Sequence, residues 1–445
     1  MSRRFVPQEV TAEFRDRAVL VGLDLGRGEW PIEESLAELG RLAETAGAQV
    51  VATLSQRLDR PNPRTFIGAG KAEEVAEAAQ CEDATLVLFD DDLTPSQQAN
   101  VEALLPGVKV LDRTALILDI FALHATSMEG KLQVELAQME YLLPRLRGLW
   151  RHFEQAAAAA GGKRGIGTRG PGETQLETDR RLARRRIAHV RRELKRVGAE
   201  RDLQRSARRG SGVFRVALVG YTNAGKSTLL NALTGAGAFT MDLLFATLDS
   251  TTRRYELPEG REVTLTDTVG FIHKLPHGLV ESFKSTLDEV READLLLHVV
   301  DASHPQVKAH MHAVREVLGE LGAAARPLVL VFNKTDLADP GAVAALQRRH
   351  PDALFISAVT GDGIAGLVTR IADEAARGSI RVEAVVPYTR GDLVMLAHER
   401  TQILTEEHTP DGTRLVLRAP AGVAERFSEF AVGAGEADAV NDPDA

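Results

Sequence analysis

Residues 214–231 read Phe214-Arg-Val-Ala-Leu-Val-Gly-Tyr-Thr-Asn-Ala-Gly-Lys-Ser-Thr-Leu-Leu-Asn231. An apolar run enters Gly220-Tyr221-Thr222-Asn223-Ala224-Gly225-Lys226-Ser227, spaced G-x-x-x-x-G-K-S, and a helical pattern follows it. Strand, glycine-bounded loop and helix in this order wrap the phosphates of a nucleotide. Gly220 and Gly225 carry no Cβ, so the loop can curl and aim its N–H groups inward. Lys226 adds charge for the β- and γ-phosphates, Ser227 a hydroxyl for Mg²⁺, and the helix its positive N-terminus.

Two later segments say which base is held. Pro327-Leu-Val-Leu-Val-Phe332 runs into Asn333-Lys334-Thr335-Asp336. An Asp336 carboxylate only accepts, and guanine presents N1–H and its exocyclic amine side by side where adenine does not. Lys334 can lie along the base, Asn333 ties segments together, and Ser357-Ala358-Val359 reads as the last guanine loop. Between these, Asp267-Thr268-Val269-Gly270 follows a strand; Asp267 would reach Mg²⁺ through water and the Gly270 N–H would meet the γ-phosphate. The first switch is read in Phe245-Ala246-Thr247-Leu248-Asp249, with Thr247 as second Mg²⁺ ligand and Thr251 or Thr252 as the alternative. Together these predict a Mg²⁺-dependent GTP-binding domain over 213–377, with a mostly parallel sheet and flanking helices.

The 445 residues suffice for about three domains. A 44% hydrophobic and 26% charged composition is that of a globular chain, and neither a membrane span nor a signal peptide is predicted. The lone Cys81 permits no internal disulfide, which fits the cytoplasm; it is expected to be a packed, inert thiol. Over 15–128, strands at Val19-Leu-Val-Gly-Leu23, Gln49-Val-Val-Ala-Thr-Leu54, Thr85-Leu-Val-Leu-Phe89 and Val108-Lys-Val-Leu111 alternate with helices near 32–46, 70–80, 94–104 and 113–124. That order predicts an α/β domain with a parallel sheet covered on both faces. Asp90-Asp-Asp92 at a strand end is expected to be solvated.

Leu132, Leu136, Met139, Leu143, Leu146, Trp150 and Phe153 form a heptad seam, which Pro144 should kink or break. Leu176, Ala183, Ile187, Val190, Leu194 and Val197 form another, across the glycine-rich 161–172; the expectation for 129–210 is an antiparallel helical hairpin with a flexible tip. Lys163 to Arg209 holds sixteen Lys/Arg against six Asp/Glu, a local +10 in a chain of net charge −9. One-signed charge on that scale repels itself unless a polyanion neutralises it. Lys163, Arg164, Arg169, Arg184, Arg185, Arg186, Arg191 and Arg192 are the candidate RNA contacts, and with 4 Tyr and 2 Trp the target is structured RNA rather than stacked single strands. Residues 380–431 predict a small α+β unit, and 432–445 an acidic disordered tail.

The chain resembles the HflX family of ribosome-associated GTPases, within the Obg-HflX-like class of P-loop GTPases. Besides the GTPase motifs, the likeness is carried by Thr65-Phe-Ile-Gly-Ala-Gly-Lys71, Pro95-Ser-Gln-Gln-Ala-Asn100 and Asp112-Arg-Thr-Ala-Leu-Ile-Leu-Asp-Ile-Phe121. Lys131-Leu-Gln-Val-Glu-Leu-Ala-Gln138 and Arg169-Gly-Pro-Gly-Glu-Thr-Gln-Leu-Glu-Thr-Asp179 carry it more specifically. The resemblance implies an N-terminal α/β domain, a helical hairpin, a GTPase domain and a variable C-terminal domain. It implies the large ribosomal subunit and its rRNA as partner, separation of stalled ribosomes as the role, and the hairpin's tip as the part that reaches RNA. A monomer is expected.

In Ras-like enzymes the residue after D-x-x-G is a glutamine that orients the attacking water; here it is Phe271, so unassisted hydrolysis should be slow and stimulated by the partner. Asn223 occupies the place of the cation-binding asparagine in potassium-stimulated relatives, which makes K⁺ a candidate cofactor. His273 and His277 are weighed as bases and set aside as loop residues, and His304, His310 and His312 are expected at the surface of a helix. A GTPase for ribosome assembly or RNA processing, or a switch that regulates a protein partner, are the alternatives.

Overall fold

A computed structural model describes residues 16–26, 30–145, 171–209, 213–235, 244–245, 247–274, 284–377 and 379–432. Near-continuous apolar runs make the first sheet: β1 (Asp16–Asp24), β2 (Ala48–Arg57), β3 (Leu86–Phe89) and β4 (Lys109–Asp112), all parallel in the order β2-β1-β3-β4. Strand side chains alternate faces. Leu20, Leu86 and Leu88 therefore meet α1 (Ile32–Thr45) and α4 (Arg113–His124) on one side. Val19, Val21, Val87 and Phe89 meet α2 (Ala69–Cys81) and α3 (Pro95–Glu102) on the other. Side-chain caps start the helices where the sequence permits: Thr94 and Gln97 form a capping box before Pro95, and Asp112 accepts from the Ala115 N–H (2.9 Å) to open α4. Cys81, expected to be packed, is exposed, because it ends α2 at the solvent edge.

The second sheet contains β5 (Phe214–Gly220), β6 (Thr251–Glu256), β7 (Glu262–Asp267), β8 (Leu295–Asp301), β9 (Leu328–Asn333) and β10 (Leu354–Phe355). Its order is β10-β9-β8-β5-β7-β6, parallel except for the antiparallel β6. α7 (Lys226–Thr234), α8 (Lys284–Glu292), α9 (Val307–Glu320), α10 (Pro340–Arg349) and α11 (Ile364–Arg377) flank it. The two domains share one core. Phe121 of α4 meets Phe245 edge-on (4.7 Å between centroids), in a cluster that also takes in Leu248, Val269, Phe271 and Ile272. Burying one such ring contributes about 2–3 kcal/mol. This explains why α4 is buried almost all round, with Leu116, Ile117, Leu118, Ile120 and Phe121 all inaccessible.

α5 (Met128–Leu142) packs on α6 (Pro171–Arg209) through Leu132, Leu136, Ile187 and Val190, with Met139, Leu143, Leu194 and Val197 extending the seam. The described parts of the stripes, Leu132 to Leu143 and Ile187 to Val197, are where the heptads put them, but their direction needs correction; the Leu176 side chain lies outside the described residues. Glu135 pairs with Arg186 (2.5 Å) and Glu140 with Arg191 (2.6 Å), so partners advance together and the two helices run the same way rather than antiparallel. The reason is Pro144, which has no N–H to continue the helix: α5 stops at Leu142 and the chain turns at 143–145. Leu146, Trp150, Phe153 and residues 161–170 of the glycine-rich stretch lie outside the described residues, as do Lys163, Arg164 and Arg169.

At the C-terminus, β11 (Ser379–Val386), β12 (Gln402–Thr409) and β13 (Gly412–Pro420) form an antiparallel sheet in the order β11-β13-β12. α12 (Gly391–Arg400) and the final turn at Phe427 cover it, with Leu393, Leu415, Leu417 and Phe427 as core. Residues 433–445, read as a disordered tail, lie outside the described residues. Among the described residues no helix is long and apolar enough to cross a membrane.

Candidate nucleotide site

β5 lies between β8 and β7, so its C-terminal end delivers the glycine loop to the middle of the sheet edge. Gly225 has φ +88°, and a Cβ there would strike the Asn333 amide. A Cβ at Gly220 would overlap the Val299 carbonyl, and one at Gly270 the Thr222 backbone. All three glycines are demanded by close approach, which is how the loop, β8 and the second switch come within reach of one ligand. Lys226 is buried, and its ammonium donates to the carbonyls of Tyr221 (2.9 Å) and Gly220 (3.3 Å). Burial pushes it down to about 8, only partly opposed by Asp267, so a phosphate chain would stabilise its charge.

Ser227, Thr247 and Asp267 converge. The Ser227 hydroxyl donates to Asp267 Oδ2 (2.6 Å), Thr247 Oγ1 donates to the same oxygen (3.1 Å), and the two hydroxyls are 2.9 Å apart. Among the described residues Asp267 Oδ1 is buried with no hydrogen-bond partner. Burial raises this carboxyl above its ordinary range despite Lys226 and the two hydroxyls. Hard oxygen donors around an unsatisfied buried acceptor fit Mg²⁺ with its retained waters. Thr251 and Thr252 lie in β6 instead, where Thr252 meets Thr266 (3.0 Å). Among the described residues no group of three His, Cys, Asp or Glu offers another metal site.

At the base end, Asn333 joins the loops: its amide donates to the Ala224 carbonyl (3.0 Å), and its Oδ1 accepts from the Ala358 N–H (3.0 Å). Lys334 has φ +61° and pairs with Asp301 (2.8 Å), while the Thr335 N–H reaches the Ile356 carbonyl (3.2 Å). Ser357 is buried, and Asp336 and Val359 are exposed beside them. Asn223 is exposed on the loop with φ +59°. In the second switch, the Thr268 hydroxyl donates to the Leu218 carbonyl (2.7 Å), and Val269 is buried. Phe271 exchanges backbone hydrogen bonds with Gly220 (3.1 Å) and Thr222 (2.7 Å), and its ring is fully buried in the core shared by the two domains. The ring cannot serve the attacking water from there.

In the first switch, Phe245 N–H donates to Thr222 Oγ1 (3.0 Å) and Leu248 is buried; Ala246 lies outside the described residues. Asp249 turns to Thr126 and Ser127, whose N–H and hydroxyl groups saturate its carboxylate. Of the basic face, Arg184, Arg185, Arg186, Arg191 and Arg192 are exposed on α6. Arg186 and Arg191 are tied to Glu135 and Glu140 of α5; among the described residues Arg184, Arg185 and Arg192 have no ion pair.

One cluster escaped the sequence. Asp90, expected to be solvated, is wholly buried: it accepts from Arg113 (2.8 Å), Ser35 (2.6 Å) and Lys274 (2.7 Å). Arg113 also binds Glu38, and Glu38 accepts from the Tyr221 hydroxyl. Burial pushes Asp90 up, and Arg113 and Lys274 more than reverse it. His310, expected at the surface, is buried and stacks on Tyr221 (3.8 Å), while Trp30 stacks on His273 (4.5 Å). His277 lies outside the described residues. Asp90 at the end of β3 and Arg113 at the start of α4 are adjacent to apolar runs, but nothing local reveals partners 55, 75 or 184 residues away.

Three family models match in series: GTP-binding GTPase N-terminal over 33–122, GTP-binding GTPase Middle Region over 124–208, and 50S ribosome-binding GTPase over 215–334. The GTPase HflX of Caldanaerobacter subterraneus subsp. tengcongensis is 45% identical over 424 residues, 95% of this chain and 96% of that one. The chain belongs to the HflX family of GTPases. The GTPase HflX of Escherichia coli strain K12 is 46% identical over 394 residues, 87% of this chain and 90% of that one. A GTP-binding protein of Sulfolobus solfataricus, solved with GDP, is 25% identical and covers 81% of this chain and 99% of its own, with a TM-score of 0.41. This chain is a GTPase.

Proposed function

We propose that this GTPase binds the large ribosomal subunit in the cytoplasm and splits or rescues stalled ribosomes, gated by GTP. The observation that carries the reading is the exposed arginine face of α6, where Arg184, Arg185 and Arg192 are left without carboxylate partners among the described residues. Guanidinium forks match phosphate oxygens, and the seam with α5 holds them on a rigid helix. The 50S ribosome-binding description of the family model over 215–334 supports the same partner.

Lys226 and the loop N–H groups hold the β- and γ-phosphates, Asp336 accepts from guanine, and the Gly270 N–H senses the γ-phosphate. Ser227, Thr247 and Asp267 would hold Mg²⁺, which supplies charge neutralisation on the phosphates. Asn223, exposed on the loop, would be the residue to hold K⁺. With Phe271 sealed in the core, no side chain at that position orients water, so hydrolysis is slow until the ribosome completes the site. Release of the γ-phosphate frees the switches and lowers affinity.

Sedimentation of ribosomes with the full chain and a non-hydrolysable GTP analogue, against GDP, tests this. Co-migration with large subunits and loss of whole ribosomes with the analogue alone is expected. Binding indifferent to the nucleotide would favour assembly or RNA processing, and no binding at low salt would favour a protein partner.

A further inference from the structure

The junction between the first domain and α5 is a short turn, Ala125 to Ser127. Thr126 and Ser127 aim four donors the same way, and all four end on Asp249 of the first switch. Asp249 Oδ2 accepts from Thr126 N–H (2.9 Å), Thr126 Oγ1 (2.7 Å) and Ser127 N–H (2.7 Å), and Oδ1 accepts from Ser127 Oγ (2.5 Å). A carboxylate offers about four acceptor sites, so this one is filled. Ser127 Oγ also accepts from the Gly130 N–H (2.9 Å) and so caps α5. Gly130 makes room for the arrangement, since a Cβ there would lie 2.5 Å from Asp249 Oδ1.

Asp249 stands two residues after Thr247, and Phe245 two before it. Phe245 is fastened by its ring on Phe121 and its N–H on Thr222. With both ends fixed to the first domain and the phosphate loop, Thr247 is held against Ser227 and Asp267. We propose that the Thr126–Ser127 turn positions the GTPase centre: by clasping Asp249 it presets Thr247 for the triphosphate state. Asp249, its carboxylate engaged by Thr126 and Ser127, acts as a positioning residue through Thr247. The clasp also joins the switch to α5, which carries Glu135 and Glu140 against the basic helix α6. Coupling is reciprocal, so whatever strains the α5–α6 pair alters affinity for GTP, and GTP alters the pair by the same factor.

Gly130→Ala in the full-length chain is the direct test. A Cβ there must displace Asp249, so some loss of Tm is expected on any reading, whereas a glycine that serves packing alone predicts unchanged nucleotide binding. The clasp predicts a loss of about tenfold in affinity for a GTP analogue, the usual worth of charge-assisted hydrogen bonds, with GDP affinity held within about twofold. It also predicts faster amide exchange over 247–250 in protein without nucleotide. Asp249→Ala, on the switch side, must show the same pattern and carries the test alone if Gly130→Ala fails to fold. Equal losses for both nucleotides, no loss, or unchanged exchange would overturn the proposal. It rests on Thr247 being the switch threonine, which Thr247→Ala tests separately: no GTP-selective loss there sinks that assignment and the proposal with it.

Discussion

Replacing Arg113 by leucine removes the cation from the buried network between the domains. The Arg113 side chain is 1% exposed and its fork holds Asp90 at 2.8 Å and Glu38, which are 0% and 1% exposed. Leucine fills part of the volume and strands two carboxylates. Lys274 remains on Asp90 (2.7 Å), so the greater penalty falls on Glu38, whose other partner is a neutral tyrosine hydroxyl. Removing one partner of a buried ion pair costs about 3–5 kcal/mol, a large share of the roughly 5–15 kcal/mol that holds a domain folded. The pH dependence has a definite sign. Asp90 is held below its ordinary value, so in the wild type its contribution is complete above 3.8 and is lost as pH falls through the folded value. In Arg113→Leu burial dominates, the carboxyls bind protons more readily, and acid relieves the penalty. Urea unfolding of both proteins at about pH 7.5 and about pH 5 should show a gap that narrows with acid. A loss below about 1 kcal/mol, or a gap independent of pH, would refute the reasoning.

Lys226→Met should abolish GTP binding yet raise the Tm of the nucleotide-free protein, since it removes a buried ammonium pushed down to about 8; an unchanged or lower Tm would contradict this. His298 and His310 are both pushed down by burial to about 3 from 6.5, so the unfolded chain binds more protons in between. Their contribution is full above about 6.5 and declines below it, at about 1.4 kcal/mol per pH unit for each proton. His310→Phe keeps the stack on Tyr221 and should flatten the acid limb of the stability curve, measured by denaturation from pH 7 downward. Exchanging Arg184, Arg185 and Arg192 for glutamate should weaken binding to large subunits and lower the slope of log affinity on log salt by about two to three, with GTP affinity unchanged; a slope that stays put would remove this face from the interface.

The backbone geometry of the loops at the candidate site was legible because each is a local device. Gly225 must take a positive φ, Asn333 must follow a buried strand, and Ser227 must open a helix; a few neighbouring residues suffice to specify each. Strand and helix positions in the first domain followed from apolar runs and period for the same reason. Asp90 and His310 were misread because polarity indicates surface only until a partner is found, and their partners come from other elements. The heptads located the α5–α6 seam without its direction, since a stripe of leucines packs equally well on a helix running either way.

By itself, then, the sequence determined a GTP-binding domain, its base preference and the elements around it, as short-range rules of backbone geometry and hydrogen-bond complementarity can. Only the tertiary structure decided that the first domain grips the segments around Phe245, Asp249 and Lys274, through Phe121, the Thr126–Ser127 turn and Asp90. Those contacts join residues far apart in the chain. Their partners are chosen by packing and by the need to satisfy buried charge, conditions that exist only once the two sheets have met.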